Sequence, residues 1–515
     1  MVASSAQYLV VAGLLLGLRP IGLALRATPS APSKEASQYF IDVASTPPLR
    51  GGECCLRTGF QTETLLGGRK VAEIAPACVI MIAMKLTPFC LAIVAGTLFA
   101  SHSSYAQTSS RVDAAFEKFW AAKSPNDAER TLDDVIKTGI TFDEAWRRLK
   151  TGRTYTNQKT GIVMLSNRTK DGVEHFYALN VPANYNPARR YQVRFQLHGG
   201  VGGRQTNQPR GNGESPLPGA EQIYVVPYSW DSSPWWSDDQ VSNLQGIVDA
   251  VKRIYNVDEN RIVVAGVSDG GTGAYYIGMR DTTPYASFLP LNGFIMVLAN
   301  PDIDDGQVFP NNLRNKPMFV INGGRDRLYP TSEVEPFVKH LATAINIDYY
   351  PQPEAGHNTM WWPEMKDIFE KFVGDHPRDP HPDKLTWEAV TLDHNRAHWL
   401  VMDQFGAQAG DTGSMPDLNL MEDQPLFGRY RLPGRMDLTR RGNTIEATTR
   451  GVAAFTLLLS PDKFDLDQPI RVIANGRTVF DGRVQRNLKT LLTWAARDND
   501  RTMLYAAELK IKLSR

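Results

Sequence analysis

Beyond Cys90 the chain has no cysteine, because Cys54, Cys55, Cys78 and Cys90 are the only four in its 515 residues. The rest of the chain therefore has no disulfide, no cysteine nucleophile and no thiolate metal site. Charge of one sign is also missing: 56 Lys and Arg stand against 55 Asp and Glu, and no dense basic cluster occurs. That removes the electrostatic footprint of a nucleic-acid-binding protein. A long unbroken apolar run is absent as well. The stretch from Tyr8 to Leu18, continued to Leu25, is interrupted by Arg19-Pro20 and has no basic residue ahead of it, which argues against a membrane span. What the chain does have is 42% apolar and 22% charged residues, enough for a large buried core and, at this length, two to four domains.

A second apolar run is better organised. Met84-Lys85 gives a short basic start, Leu86 to Phe99 an apolar stretch broken once by Pro88, and Ser104-Tyr105-Ala106 a small-x-small cleavage site before Gln107. Residues 84–106 thus read as a signal peptide, and 1–83 as a start-site extension or presequence. Without residues 1–106, 48 basic and 50 acidic residues remain. The expected mature protein is nearly neutral, free of cysteine, secreted or periplasmic, and without a stable membrane span.

Downstream, 107–155 reads as a helical segment, with Phe116, Phe119 and Trp120, then Phe142, Trp146 and Leu149, at helical spacing. Over 156–375 short apolar runs alternate with amphipathic stretches. Strands are expected at Tyr177 to Val181, Val193 to Leu197, Ile223 to Val226, Ile262 to Val267, Phe294 to Leu298, Met318 to Ile321 and Ile347 to Tyr350. Helices are expected near Val241 to Ile254, Gly271 to Arg280, Glu333 to Ala344 and Pro363 to Phe372. This alternation predicts an α/β class with a doubly wound, mostly parallel sheet. The polar, proline-bearing 376–384 reads as a linker to a smaller β-rich domain, 385–515. That domain includes a hairpin at Ile470 to Phe480 turned by Asn475-Gly476, a helix near Leu488 to Ala496 and a last strand from Met503 to Leu513.

Chemistry is concentrated at the predicted strand ends. Ile262 to Val267 runs into Gly266-Val267-Ser268-Asp269-Gly270 and then a helix, the strand-turn-helix setting of a nucleophile elbow. A dinucleotide fingerprint is disfavoured, since the third glycine after Gly271 and Gly273 would be Tyr276. A serine hydroxyl needs a base held in one tautomer by an acid. The strand Met318 to Ile321 ends in Asn322-Gly323-Gly324-Arg325-Asp326, and the next ends in Glu354-Ala355-Gly356-His357. Ser268, Asp326 and His357 follow in the order Ser, Asp, His. Asp302, Asp304 and Asp305 compete with Asp326 for the acid.

With His198-Gly199-Gly200 after an early strand, these motifs resemble secreted serine esterases of the α/β-hydrolase fold. The branch includes polyhydroxybutyrate depolymerase-like, feruloyl-esterase-like and dienelactone-hydrolase-like proteins. The resemblance covers about 160–375 and implies carboxylic-ester hydrolysis through an acyl-serine intermediate, on a small-molecule or polymer-linked ester, with no metal or organic cofactor. Asp269 departs from the uncharged residue often found in its slot. The oxyanion donors are expected to be the N–H of Asp269 and that of Gly199 or Gly200, with His198 structural. Trp235, Trp236, Trp361 and Trp362 are candidates for a substrate pocket, with packing as their rival role. His394-x-x-x-His398 has the spacing of a metal pair but lacks the accompanying Glu and lies among expected strands, so no metal site is read there. A peptidase of prolyl-oligopeptidase type and a non-catalytic binding protein are the alternative functions.

Overall fold

The computed structural model describes residues 110–209, 211–406 and 416–513. The expected signal peptide and the segment before it lie outside the described residues. The chain opens with α1 (110–121), α2 (Pro125–Arg130), α3 (Leu132–Lys137) and α4 (Phe142–Thr151), where two helices were expected. Ser124 caps α2 and Thr141 caps α4, each side chain accepting an orphan N–H of the first turn.

The central sheet runs β1 (Gly161–Arg168), β2 (Glu174–Val181), β3 (Tyr191–Leu197), β4 (Ile223–Pro227), β5 (Val257–Val267), β6 (Ser287–Leu291), β7 (Met318–Gly323) and β8 (Ile347–Gln352). Its spatial order is β1-β2-β4-β3-β5-β6-β7-β8, with β1 and β2 antiparallel and the rest parallel. The helices α5 (Asp238–Ile254), α6 (Asp269–Arg280), α7 (Thr331–Ala342) and α8 (Trp362–Asp375) connect or follow the parallel strands. Val264 and Ile262 pack in one core and Val263 and Ala265 in another, so β5 is covered on both faces. That is why its sequence reads as a continuous apolar run instead of alternating.

The expected strand at Phe294 to Leu298 is a correction. Ile295–Ala299 is a 3₁₀ helix, and the strand lies earlier, at Ser287–Leu291. Both runs are short and apolar, so periodicity does not separate them, and the backbone turns away at Asn292, whose φ is 47°. The edge strand β1 was not anticipated, because its half-buried alternation carries little apolar contrast.

The C-terminal strands are β9 (Lys384–Ala389), β10 (Arg396–Ala397), β11 (Leu400–Phe405), β12 (Leu420–Met421), β13 (Gln424–Pro425), β14 (Gly434–Arg441), β15 (Thr444–Arg450), β16 (Val452–Leu459), β17 (Ile470–Ala474), β18 (Arg477–Gly482) and β19 (Ala507–Lys512). They build a five-stranded sheet, β18-β17-β15-β14-β9, and a four-stranded one, β10-β11-β16-β19, with β12 and β13 paired separately. The β17–β18 turn uses Asn475 and Gly476, both at positive φ, as expected from the dipeptide. Between β18 and β19 lies α9 (Leu488–Asp498), and Leu491, Leu492, Ala495 and Ala496 share a core with the N-terminal helices. The N-terminal helical segment therefore packs on a C-terminal helix.

The segment expected as a linker is tied down. Arg378 is buried, and it donates to Asp500 Oδ2 at 2.9 Å, Asn260 Oδ1 at 2.9 Å and Thr283 O at 3.1 Å. Lys252 Nζ of α5 lies 3.3 Å from the same Asp500 oxygen.

Candidate active site

Ser268 sits between β5 and α6 with φ 58° and ψ −119°, a conformation an L-residue holds only when its surroundings enforce it. Two close approaches do so. A Cβ at Gly266 would fall on the carbonyl of Gly270, and one at Gly270 on the carbonyl of Leu197 in β3, so neither site accepts a larger residue. The Ser268 N–H is held by Leu291 O of β6 at 2.9 Å, which registers the elbow against the neighbouring strand. The hydroxyl stands at the C-terminal end of the sheet, over the N-terminus of α6.

Asp326 and His357 meet because the loops after β7 and β8 are stitched together. Gly324 N–H donates to Gln352 O at 2.7 Å and Arg325 N–H to Ala355 O at 2.9 Å. Across that seam Asp326 Oδ2 lies 2.6 Å from His357 Nδ1, and His357 Nε2 lies 2.7 Å from Ser268 Oγ. The other Asp326 oxygen, Oδ1, accepts the N–H groups of Leu328 at 2.8 Å and Tyr329 at 3.0 Å. Both oxygens of this buried carboxylate are therefore occupied. The Tyr329 ring stands edge-on to the imidazole, with centroids 5.6 Å apart.

Asp304 and Asp305 serve other partners, and Asp302 faces solvent. Asp304 Oδ2 accepts Gly428 N–H at 2.8 Å, and Asp305 pairs with Arg280 at 2.7 Å.

The turn after β3 faces the elbow. A Cβ on Gly199 would lie 3.4 Å from Ser268 Oγ, so this backbone borders the hydroxyl directly. His198 is built into the scaffold: Ser229 N–H donates to Nε2 at 3.0 Å, which leaves Nδ1 to donate to Gly199 O at 2.9 Å. Trp235 Nε1–H holds the His198 carbonyl at 2.8 Å. In a trans peptide C=O and N–H point opposite ways, so the Gly199 N–H is directed away from Trp235. The side chain of Asp269 reaches back over the elbow and accepts the Val201 N–H at 2.7 Å. Burial pushes this carboxyl up from its ordinary range, against the opposing pull of the Val201 N–H, His357 and the Gly200 N–H.

Three of the four candidate pocket tryptophans are core residues. Trp235 is fully buried against Gly273 of α6, while Trp361 and Trp362 pack with Met365 and Phe369, Trp362 also donating to Pro218 O at 3.0 Å. Trp236 is half-buried at the edge of the main core. Their aromatic area made them look like pocket residues, but here it fills the interior. The exposed apolar side chains beside the site are Leu328 and Met360, each within three residues of Asp326 or His357. His394 and His398 serve separate neighbours: His394 lies 3.1 Å from Asp238, and His398 bonds to Pro380 O at 3.1 Å. Among the described residues no group of three or more His, Cys, Asp or Glu is placed to hold a metal ion, and no helix is long and apolar enough to cross a membrane.

One residue that sequence reasoning missed belongs to this cluster. Asn292, buried and at φ 47°, donates its side-chain N–H to Asn358 O at 2.8 Å and its main-chain N–H to Ile321 O at 2.7 Å.

Comparison with known proteins yields distant relatives. No known family profile matches the chain. A curated protein named Probable feruloyl esterase C, from Aspergillus terreus, is 24% identical over 157 residues, which is 29% of this chain and 57% of that protein. The chain thus spans little more than half the length of this curated relative. Among solved structures, apo Thermogutta terrifontis esterase 2 is 16% identical, covering 42% of this chain and 96% of that chain with a TM-score of 0.34. Porphyromonas gingivalis dipeptidyl peptidase 4 is 15% identical, covering 42% of this chain and 36% of that chain, also with a TM-score of 0.34. The chain has distant relatives among esterases.

Proposed function

We propose that the chain is a serine carboxylic-ester hydrolase of the α/β-hydrolase type, with Ser268 as nucleophile, His357 as base and Asp326 as the acid that orients it. The observation carrying this reading is the continuous hydrogen-bonded line Asp326–His357–Ser268, which ends on a hydroxyl held at a strained elbow. In the reaction Ser268 Oγ forms a bond to the carbonyl carbon of the ester while its proton passes to His357 Nε2. The negative charge on the former carbonyl oxygen is met by the N–H of Asp269, which as the first residue of α6 has no acceptor within the helix, and by an N–H of the turn after β3. Gly199 is the better placed donor there, since the Gly200 N–H interacts with the Asp269 carboxylate. Collapse breaks the bond to the alcohol, which takes the proton from His357. Water then attacks the acyl-serine by the same relay and releases the acid. Asp326 stabilises the imidazolium in both halves, and no step calls for a metal or organic cofactor.

The relative's printed name suggests esters of ferulic acid as one substrate arm. The test is turnover of p-nitrophenyl acetate, methyl ferulate and peptide anilides by the wild type and by Ser268→Ala. Ester cleavage that disappears in Ser268→Ala supports the reading. Anilide cleavage without ester cleavage, or residual ester activity within tenfold of wild type, overturns it. Export to a secreted or periplasmic destination, read from residues 84–106, belongs to the same proposal.

A further inference from the structure

His357 is carried by a three-residue turn closed by the Asn358 N–H donating to Gly356 O at 2.9 Å. A turn this small has few internal restraints, so the direction of its imidazole depends on what grips its ends. Asn292 provides one grip, donating its side-chain amide to the Asn358 carbonyl at 2.8 Å. The backbone of Asn292 is itself fixed from two sides. Its N–H bonds to Ile321 O of β7, and the residue before it, Leu291, accepts the Ser268 N–H at 2.9 Å. One residue therefore joins the nucleophile elbow, the strand that carries Asp326 and the turn that carries His357. Its φ of 47° is uncommon for a non-glycine residue, and its buried Oδ1 has no hydrogen-bond partner among the described residues. Packing alone would be served by glycine in the backbone and an apolar group in the space. An asparagine kept at positive φ with half its amide unsatisfied points to the donating N–H as the reason for its presence.

We propose that Asn292 is a positioning residue for the serine-hydrolase reaction, its side-chain N–H setting the placement of His357 between Asp326 and Ser268. The proposal rests on the functional reading above. It predicts a selective kinetic defect, because binding of the ester does not depend on Asn292 whereas proton transfer does. A displacement of about 1 Å in a catalytic group can cost about 10²-fold in rate.

Two replacements keep the backbone geometry available. Asn292→Gly removes the amide and is at ease at positive φ, while Asn292→Asp tolerates that φ but presents a carboxylate that does not donate. Both would be assayed beside the wild type and Ser268→Ala with p-nitrophenyl acetate, together with the rate of Ser268 labelling by a fluorophosphonate. The expected result is a fall of about 10²-fold in kcat and in labelling rate for both variants, with KM within about threefold of wild type and the folded fraction unchanged by circular dichroism. A kcat within threefold of wild type in either folded variant overturns the proposal, as does a loss that appears in KM instead of kcat. If Asn292→Gly fails to fold, Asn292→Asp decides alone. Ser268→Ala separates the two levels: persistent activity there refutes the functional reading, whereas an inactive Ser268→Ala with active Asn292 variants refutes only the role of Asn292.

Discussion

Replacing Asp326 by Asn tests the proposed relay at its most constrained point. The carboxylate uses Oδ1 to accept the N–H groups of Leu328 and Tyr329 and Oδ2 to face His357 Nδ1 at 2.6 Å. An asparagine in the same rotamer has one acceptor and one donor end. If its oxygen stays with the two main-chain N–H groups, its NH₂ faces Nδ1, which must then be unprotonated. The proton moves to Nε2, 2.7 Å from Ser268 Oγ, and the ring no longer accepts the serine proton. The opposite flip restores the tautomer but sets the NH₂ against two N–H groups at the buried side chain of residue 326 and leaves both without that acceptor. Each donor left unsatisfied costs about 1–3 kcal/mol, so the productive flip lies about 4 kcal/mol above the unproductive one, a population penalty of about 10³. Loss of tautomer control in a serine hydrolase of established mechanism lowers kcat by about 10⁴. Asp326→Asn should therefore keep the fold and lower kcat for p-nitrophenyl acetate by about 10³ to 10⁴, with KM little changed. Steady-state kinetics with circular dichroism as the folding control measures this. A kcat within tenfold of wild type, or an inactive Asp302, Asp304 or Asp305 variant beside an active Asp326→Asn, would refute the assignment.

Asp269 should separate into a backbone and a side-chain role. Asp269→Asn retains an acceptor for the Val201 N–H and is expected to keep kcat/KM within about threefold, whereas Asp269→Ala frees the turn and should lose about 10²-fold, the scale of one oxyanion donor; equal activities would exclude the tie. Asp500 should govern part of the acid stability. Burial raises its pKa, but Arg378, Lys252 and Thr502 outweigh that and hold it well below the carboxylate range. A depressed native pKa contributes stability that is complete above the unfolded value of about 3.9 and disappears as pH falls through the native one. In urea melts the gap between wild type and Asp500→Asn should be widest near pH 7 and narrow below about pH 4, and a gap independent of pH would contradict the linkage.

What was legible in the sequence is what local chemistry dictates. Gly266 to Gly270 announced the elbow because the glycines are needed wherever Ser268 is presented this way, and Asp326 and His357 stood out as polar residues at the ends of apolar strands. Asn292 was hidden because Asn-Gly ahead of an apolar run reads as an ordinary turn, and its function depends on a carbonyl 66 positions away. The same ambiguity moved a strand from Ser287–Leu291 to Phe294–Leu298, since two short apolar runs differ only in which one finds neighbours to pair with. The tryptophans leave pocket and packing undecided in the sequence for a related reason. Trp235 serves the site through one hydrogen bond to the His198 carbonyl, a contact that no spacing encodes.

The part played by the β-rich region follows from where its attachments fall. Asn312, buried after α6, exchanges two hydrogen bonds with the main chain of Glu388 in β9, at 2.9 and 2.7 Å. The adjacent Asn311 donates to Asp417 at 2.8 Å and accepts the Leu418 N–H at 3.0 Å. Separating the regions would leave these amides unsatisfied, at about 1–3 kcal/mol for each group that stays buried. The apolar contacts continue the same line, because Leu418, Leu426 and Phe427 belong to the core of the central sheet, against which Phe294 and Tyr329 pack. Phe294 lies 5.9 Å from Tyr329, and Tyr329 stands against His357. The segment 416–428 is thus continuous with the packing that backs the imidazole. A polymer-binding module on a tether would need none of these contacts, whereas a wall that supports the loops carrying Asp326 and His357 requires them.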